Sequence, residues 1–433
     1  MKTLNLLLAA TALSVSGASH AQAWSLDSCI TYAHEHNIQV RQRGVDRLTA
    51  EYGVTEAKDR FLPQLSGYAS QSFDFGRGLT SENTYANRNT KSLSLGANLN
   101  LPLFQGLQAI RTLDYAKINL QAAVEQVEAA KDDITLNIMA QYLQVLYNRE
   151  IVTVARDQAE LSQAELERRR QLLDAGKIAE LDVLQAEAQL AADNLTAVNA
   201  ENDLRLSLTD LAQTLQLPYS DSFDVLPLDD EPGILPSVQT VYSNALAYNH
   251  GVRAADRSVE AARANVRVAK SGYLPTLSFS AGLGSNWYAV SGFDNPAFGH
   301  QMRDNFAKRI GFSLNVPIFD AFGTRNQVRR ARAAQLTAEL NSDDVRTRLY
   351  NDISSAYVRA VAARNKFDSS AAAVRSTEAA FHAMEEKYNY GRATATEFNE
   401  TKTAWFRARS EQIQARYESL LRARILAFYN RTL

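Results

Sequence analysis

The chain has 433 residues, 45% hydrophobic and 22% charged, which is ample core material and excludes a disordered or collagen-like protein. Its 46 basic and 48 acidic residues leave a net charge of −2, so no chain-wide positive field exists to hold a nucleic-acid backbone, and no nucleic-acid partner is expected. Nine prolines and 19 glycines are few for this length and favour long helices.

At the start, Lys2, the apolar run Leu4 to Leu13 and Ala21-Gln22-Ala23 before Trp24 have the three parts of an export signal, assigned to residues 1–23. That run is too short to span a bilayer, and no later stretch of roughly 18 apolar residues follows. Cys29, the single cysteine, cannot close an intrachain disulfide, so stability in an oxidising compartment rests on packing or assembly. It follows Leu26-Asp27-Ser28, charged where a lipidation signal wants a small apolar residue, so acylation is not expected. His34-Glu35-His36 sets two histidines off a common helix face, which argues against a metal pair.

Laid on itself, the chain shows two halves. At an offset of 212, Ala33, Asn37, Val40, Ala57, Lys58, Leu62 and Pro63 meet Ala245, Asn249, Val252, Ala269, Lys270, Leu274 and Pro275. At an offset of 215, Pro102, Phe104, Ala116, Ile138, Tyr142, Gly176 and Leu211 meet Pro317, Phe319, Ala331, Ile353, Tyr357, Gly391 and Leu426. The repeats are placed at 24–216 and 238–433, joined by a linker at 217–237 that carries Pro218, Pro227, Pro232 and Pro236. Each half reads as a helix, two strands and a long helical region broken once.

The strands have the clearest pattern. Leu93, Leu95, Ala97, Leu99 and Leu101 alternate with Ser92, Ser94, Gly96, Asn98 and Asn100, a period of two that puts the apolar side chains on one face. Before it, Leu65, Ala69, Phe73 and Phe75 alternate with Gln64, Ser66, Ser70, Ser72 and Asp74. In the second half Leu277, Phe279, Ala281 and Leu283 form one such run, and Ile310, Phe312, Leu314, Val316 and Ile318 another. The polar faces are Ser, Gly and Asn, the residue types of a channel lining, and each run has the length of a tilted membrane strand. Between paired strands, Arg77 to Asn89 and Ser291 to Asn305 read as polar loops, with Trp287 and Tyr288 at a strand end suited to a membrane interface. Four strands cannot close a barrel, and an open edge in lipid strands unpaired backbone groups. The barrel must therefore be shared. Two copies give eight strands around a filled lumen, whereas three give twelve and leave a bore, which the small inward residues favour.

From about Gly106 to Ala175, some 70 residues run without an internal proline or glycine, on the order of 100 Å of helix. Leu120, Val124, Val127, Ile134, Ile138 and Val145 step through it as a coiled-coil seam, matched by Tyr350, Ile353, Tyr357, Ala360 and Phe367 in the second half. Gly176 and Gly391 end these helices, where a left-handed residue is needed. The fold class is mostly α with membrane β.

These residues resemble the TolC-like outer-membrane channel family along nearly the whole mature chain. The likeness rests on the tandem repeat, on Phe61-Leu62-Pro63 and Tyr273-Leu274-Pro275 before each first strand, and on Pro102-Leu103-Phe104 and Pro317-Ile318-Phe319 after each second one. It also rests on the turns Asp174-Ala175-Gly176-Lys177 and Asn389-Tyr390-Gly391-Arg392, each with an acidic residue six positions past the glycine. The resemblance implies a homotrimer in the bacterial outer membrane, its twelve strands one barrel and its helices a tapering periplasmic tunnel. It implies a passive duct for drug efflux or type I protein secretion, with a periplasmic adaptor and an inner-membrane transporter as partners. It also implies a periplasmic gate. The matching positions are Glu397, Glu400 and Asp182 as an acidic constriction, with Tyr388 and Arg392 as bonding residues near the turn. Gly176, Lys177, Ile178, Gly391, Arg392 and Ala393 are the candidate contacts with the adaptor.

No phosphate-cradling G-x-x-x-x-G-K-[ST] and no G-x-S-x-G occur, and Asp229-Asp230-Glu231 lacks calcium-loop spacing, so neither enzyme activity, cofactor nor metal is expected. A secreted or surface coiled-coil structural protein is the rival reading, but it gives no reason for four amphipathic strands. An adaptor would need a lipoyl-like β-domain, which neither flank of the hairpins supplies.

Overall fold

The structure, a computed structural model, describes residues 23–79, 83–218, 220, 222–228 and 235–431. The export signal before Ala23 and Asp229-Asp230-Glu231 lie outside the described residues.

The first half of the chain runs α1 (Leu26–His36), α2 (Ile38–Asp59), β1 (Gln64–Asp74), β2 (Arg77–Leu79), β3 (Tyr85–Asn87), β4 (Thr90–Gln105), α3 (Gln108–Asp174) and α4 (Glu180–Thr214). The second runs α5 (Val238–Tyr248), α6 (His250–Lys270), β5 (Thr276–Val290), α7 (Phe298–Asp304), β6 (Ala307–Asn315), α8 (Gly323–Asn389) and α9 (Ala395–Asn430). Each leading helix, expected as one, is two. The break falls at the matched pair Asn37 and Asn249, both in extended conformation. An asparagine competes with the helix by bonding nearby backbone. Asn37 Oδ1 accepts from the Gln39 amide at 2.9 Å, and Asn249 Oδ1 from the Val252 amide at 2.9 Å. The two expected loops also hold structure: β2 and β3 pair in the first, and α7 occupies the second.

The chain forms two compact units, each drawn from both halves of the sequence: one from residues up to 41, 131–245 and from 352, the other from 42–130 and 246–351. Helices α3 and α8 have 67 residues each.

The second of these units holds an antiparallel sheet of order β1-β4-β5-β6. The two hairpins join through β4 and β5, with Leu99 opposite both Leu65 and Ala281. Alternation keeps Leu65, Leu95, Ile310, Phe312 and Leu314 on one face, where these five are exposed. β4 bulges between Pro102 and Phe104, where the proline has no N–H for the ladder. β6 stops at Asn315, opposite the first residue of β5, so Val316 and Ile318 fall beyond the strand. Beyond the other end of β6, amide side chains take over its ladder. Gln301 bonds both backbone groups of Tyr288 at 3.0 and 2.8 Å, Asn305 Nδ2 donates to Asn286 O at 2.7 Å, and Asn295 bonds both groups of Val290. These bonds satisfy a strand edge that would otherwise be open. Along the helices of this unit, Val266 and Ala269 of α6 pack on Val328 and Ala331 of α8.

In the other unit, the C-terminal part of α3 packs against α4 through Leu166 on Val183 and Ala186, and through Val152 and Ala155 on Ala200. Ala356 and Ala360 of α8 pack on Leu426 of α9. Trp24 pairs with Val225, and the Tyr142 hydroxyl, fully enclosed, donates to Leu226 O at 2.7 Å. Cys29 is wholly buried in α1, and burial pushes its thiol up to about 12, so it is a structural residue without thiolate character. The seam is only partly buried: in this unit Ile134, Ile138, Val145, Ile353 and Ala360 are enclosed, whereas in the sheet-bearing unit Val124 and Tyr350 are 42% and 43% exposed. Near Val124 the inward positions belong to Ala122 and Ala123.

Candidate functional site

The helix turns that carry the proposed gate residues are built by backbone geometry. Gly176 and Gly391 have φ of +69° and +70°, and a Cβ at either would meet nothing within 4 Å, so conformation alone demands glycine. Gly176 N–H donates to Leu173 O and Lys177 N–H to Leu172 O; Gly391 and Arg392 repeat the pattern on Tyr388 and Lys387. Both are Schellman turns. Lys177 and Arg392 are exposed, Ala393 is half-buried, and Ile178 turns inward onto the Leu166–Val183 cluster.

The acidic residues after the glycines cap the next helix. Glu397 Oε2 accepts from the Thr394 amide at 2.7 Å and from its hydroxyl at 2.8 Å, and Glu397 N–H returns a bond to Thr394 Oγ1 at 3.3 Å. This reciprocal box satisfies two otherwise orphaned donors, and those bonds from Thr394 hold the Glu397 carboxyl below its ordinary range. Asp182 makes half the arrangement: its carboxylate accepts from the Ala179 amide at 3.1 Å, and alanine has no oxygen to reciprocate. Glu400, one turn beyond Glu397, is exposed.

Tyr388 is bonded, but not to Arg392. Its hydroxyl donates to the Glu165 carboxylate, which also accepts from Arg169 Nε at 2.7 Å. Burial first, and then the hydrogen bond to Glu165 and its charge, push the Tyr388 phenol up. Arg168 lies over the Tyr388 ring at 4.9 Å, and Phe398 stacks on it at 4.7 Å. Arg169, 3% exposed, reaches Asp182 O at 2.9 Å, while its Nη2 finds no acceptor among the described residues. Glu165, Arg168 and Arg169 were missed from the sequence. The four-residue spacing of Glu165 and Arg169 is visible there, but it does not say which face meets Tyr388.

Deeper along the same helices sits a buried ion pair that the sequence reading also missed. Lys402 of α9 and Asp193 of α4, with side chains 2% and 4% exposed, lie 3.3 Å apart. Lys402 Nζ donates to Ser162 Oγ at 2.6 Å, and Gln158 and Gln189 donate to Asp193 Oδ1 at 2.7 and 3.1 Å. A charge pair this enclosed persists only where its remaining lone pairs are satisfied, as here.

Among the described residues no group of acidic, His and Cys side chains is arranged to hold a metal. His34 bonds Thr135 Oγ1 at 2.9 Å, and His36 stacks on Tyr32 at 3.9 Å. Among the described residues no helix is long and apolar enough to cross a membrane.

A profile of the outer membrane efflux protein family matches residues 30–215 and 241–428. Outer membrane protein TolC of Escherichia coli (strain K12) is 26% identical over 420 residues, covering 94% of this chain and 83% of that protein. Outer membrane efflux protein BepC of Brucella suis is 25% identical over 371 residues, covering 86% of this chain and 77% of its own. A crystal structure of CusC, described with transmembrane channel formation, superposes with a TM-score of 0.78 at 16% identity, covering 94% of this chain and 91% of its own.

Proposed function

Because this chain belongs to the outer membrane efflux protein family and is an outer-membrane channel extending into the periplasm, we propose that three copies assemble into one passive exit duct. The observation that carries this is the sheet. Its apolar face is exposed, with Ile310 at 75% and Phe312 at 70%, and β1 and β6 each end it with an unpaired edge. In lipid an apolar face is at home, but an open edge costs several kcal/mol for each unsatisfied group, so β6 of one copy pairs with β1 of the next. Three copies make twelve strands, enough to leave a bore. The coiled-coil alternative leaves this sheet unexplained.

The two repeats, 24–216 and 238–433, each deliver one helix turn to the periplasmic end, where Lys177, Arg392 and Ala393 beside Gly176 and Gly391 contact the hairpin of an adaptor linked to an inner-membrane transporter. Ile178 supports its turn from within. Threefold symmetry gathers Glu400, Glu397 and Asp182 into an acidic constriction, a cation filter whose repulsion favours opening. Glu400 supplies its freer charge, because Glu397 and Asp182 also cap helices. Tyr388 holds the second turn to α3 through Glu165.

Reconstitution in planar bilayers tests the duct together with its gate. The purified protein should cross-link as a trimer and conduct, and Glu397→Ala with Glu400→Ala should lose cation preference and divalent block. A non-conducting monomer refutes the duct; a conducting trimer with unchanged selectivity and divalent block refutes only the gate.

A further inference from the structure

The polar face of the sheet is almost uncharged. Along β1, β4, β5 and β6 it presents mainly Ser, Thr, Asn, Gly and Gln, with Tyr68, Tyr288, Val290 and Ala307 among them, and its only charged members among the described residues are Asp74 and Arg309. They are far apart: Arg309 is opposite Gly282, which is opposite Asn98 and then Ser66, eight residues along β1 from Asp74. Arg309 is exposed, and among the described residues it meets no carboxylate.

Arg309 also lines a recess. Tyr68, Ser94, Asn98 and Asn286 line it too, and no acidic side chain does. Its floor is glycine, for a steric reason. A Cβ on Gly96 would lie 2.7 Å from both Leu283 O and the Tyr68 hydroxyl, and one on Gly284 2.8 Å from Leu95 O and 3.2 Å from that hydroxyl, so neighbouring backbone and the Tyr68 ring together leave no room for a side chain at either. A Cβ on Gly282 would lie 2.8 Å from Asn98 Oδ1. The recess therefore combines a guanidinium, a phenol hydroxyl, two carboxamides and a serine hydroxyl, donors suited to a carboxylate, sulfonate or phosphate.

We propose that this recess is an anion subsite in the lumen of the shared barrel, and that three copies of Arg309 form a positive ring favouring solutes with an anionic group at the exit. The inference rests on the shared barrel above, whose apolar face must meet lipid and whose polar face must therefore line the bore. A ring of like charge in a narrow bore concentrates counter-ions and excludes co-ions. The duct then carries opposite charges at two levels: carboxylates at the periplasmic constriction and guanidinium groups in the barrel.

The test measures reversal potentials of reconstituted full-length channels under a potassium chloride gradient, with inorganic phosphate as the probe anion. Arg309→Ala should lower the chloride-to-potassium permeability ratio by about twofold or more, and Arg309→Glu should lower it further. Phosphate should reduce chloride current in the parent and in Arg309→Lys, but not in Arg309→Ala. Channels that conduct with the same ratio in parent and Arg309→Glu overturn the subsite while leaving the duct standing. A parent protein that makes no pore overturns both.

Discussion

The two helical hairpins stand at matching places in the repeat and are held by different chemistry. α3 and α4 meet through aliphatic contacts, Leu166 on Val183 and Ala186. Near the turn, α8 and α9 meet through rings, with Phe381 stacked on Trp405 at 4.8 Å and Tyr388 on Phe398 at 4.7 Å. The first turn has half a capping box at Ala179 and Asp182, and the second a whole one at Thr394 and Glu397. The buried ion pair deepens the asymmetry: at the repeat offset, Lys402 corresponds to Glu187, which pairs at the surface with Arg170, and Asp193 corresponds to Ala408. The strand-to-helix turns differ as well. Gly106 and Leu107 have positive φ in the first repeat, and Ala321 and Phe322 take their places in the second. Two hairpins with the same backbone path and periodicity can differ in their contacts, because a path tolerates many packings that fill the same volume.

The largest break in this comparison should come at the ion pair. Lys402→Met leaves Asp193 buried without its cation, and a loss of about 3–5 kcal/mol is expected in denaturant unfolding of the detergent-solubilised protein. The double change Lys402→Met with Asp193→Leu should recover most of it. The matching Glu187→Met should cost less than about 1 kcal/mol, since an exposed pair contributes little. Equal losses at 402 and 187 would erase the asymmetry.

The turn glycines should behave alike. Gly176→Ala and Gly391→Ala each force a Cβ into the left-handed region at an expected cost of about 1–2 kcal/mol, with no packing difference to separate them. A gap larger than about 1 kcal/mol between the two losses in unfolding free energy would point to a contact at one turn only.

The capping boxes should respond in opposite senses. Thr394→Ala should cost about 1 kcal/mol, and Ala179→Ser should stabilise by a similar or smaller amount by completing the first box, both read as shifts in unfolding midpoint. The smallest effect is one of pH. The Glu397 carboxyl lies below its ordinary 4.5 in the folded chain, so its stabilisation is fully present above pH 4.5 and disappears as pH falls through the lowered value. Glu397→Gln should flatten that acid limb in amide exchange of the first turn of α9, whereas Asp182→Asn should leave that turn unchanged.

Much of the fold was legible because its periods are strict. The alternation of Leu93, Leu95 and Leu99 predicts a two-faced strand in any context, and the structure pairs it as expected. Gly176 and Gly391 were legible for a similar reason, since a left-handed residue ends a helix by local rules. The breaks at Asn37 and Asn249 were not, because an asparagine within a helical pattern takes either course. Of the candidate site, the positions of Asp182, Glu397 and Glu400 near the turns were readable. The partner of Tyr388 was not: Arg392 is closer in sequence, yet Glu165 from another helix makes the bond.

Sequence alone determined the four strands with their two faces, the long helices and the turns that end them. Each follows from bonds or steric limits reaching a few residues along the chain, whose spacing is written in the residues themselves. Only the tertiary structure decided which charges are buried together, as with Lys402 and Asp193, and which side chains close a strand edge, as with Gln301 and Tyr288. Such pairs lie far apart in sequence or on elements with no period of their own. Their energy depends on desolvation, which is set by everything that packs around them.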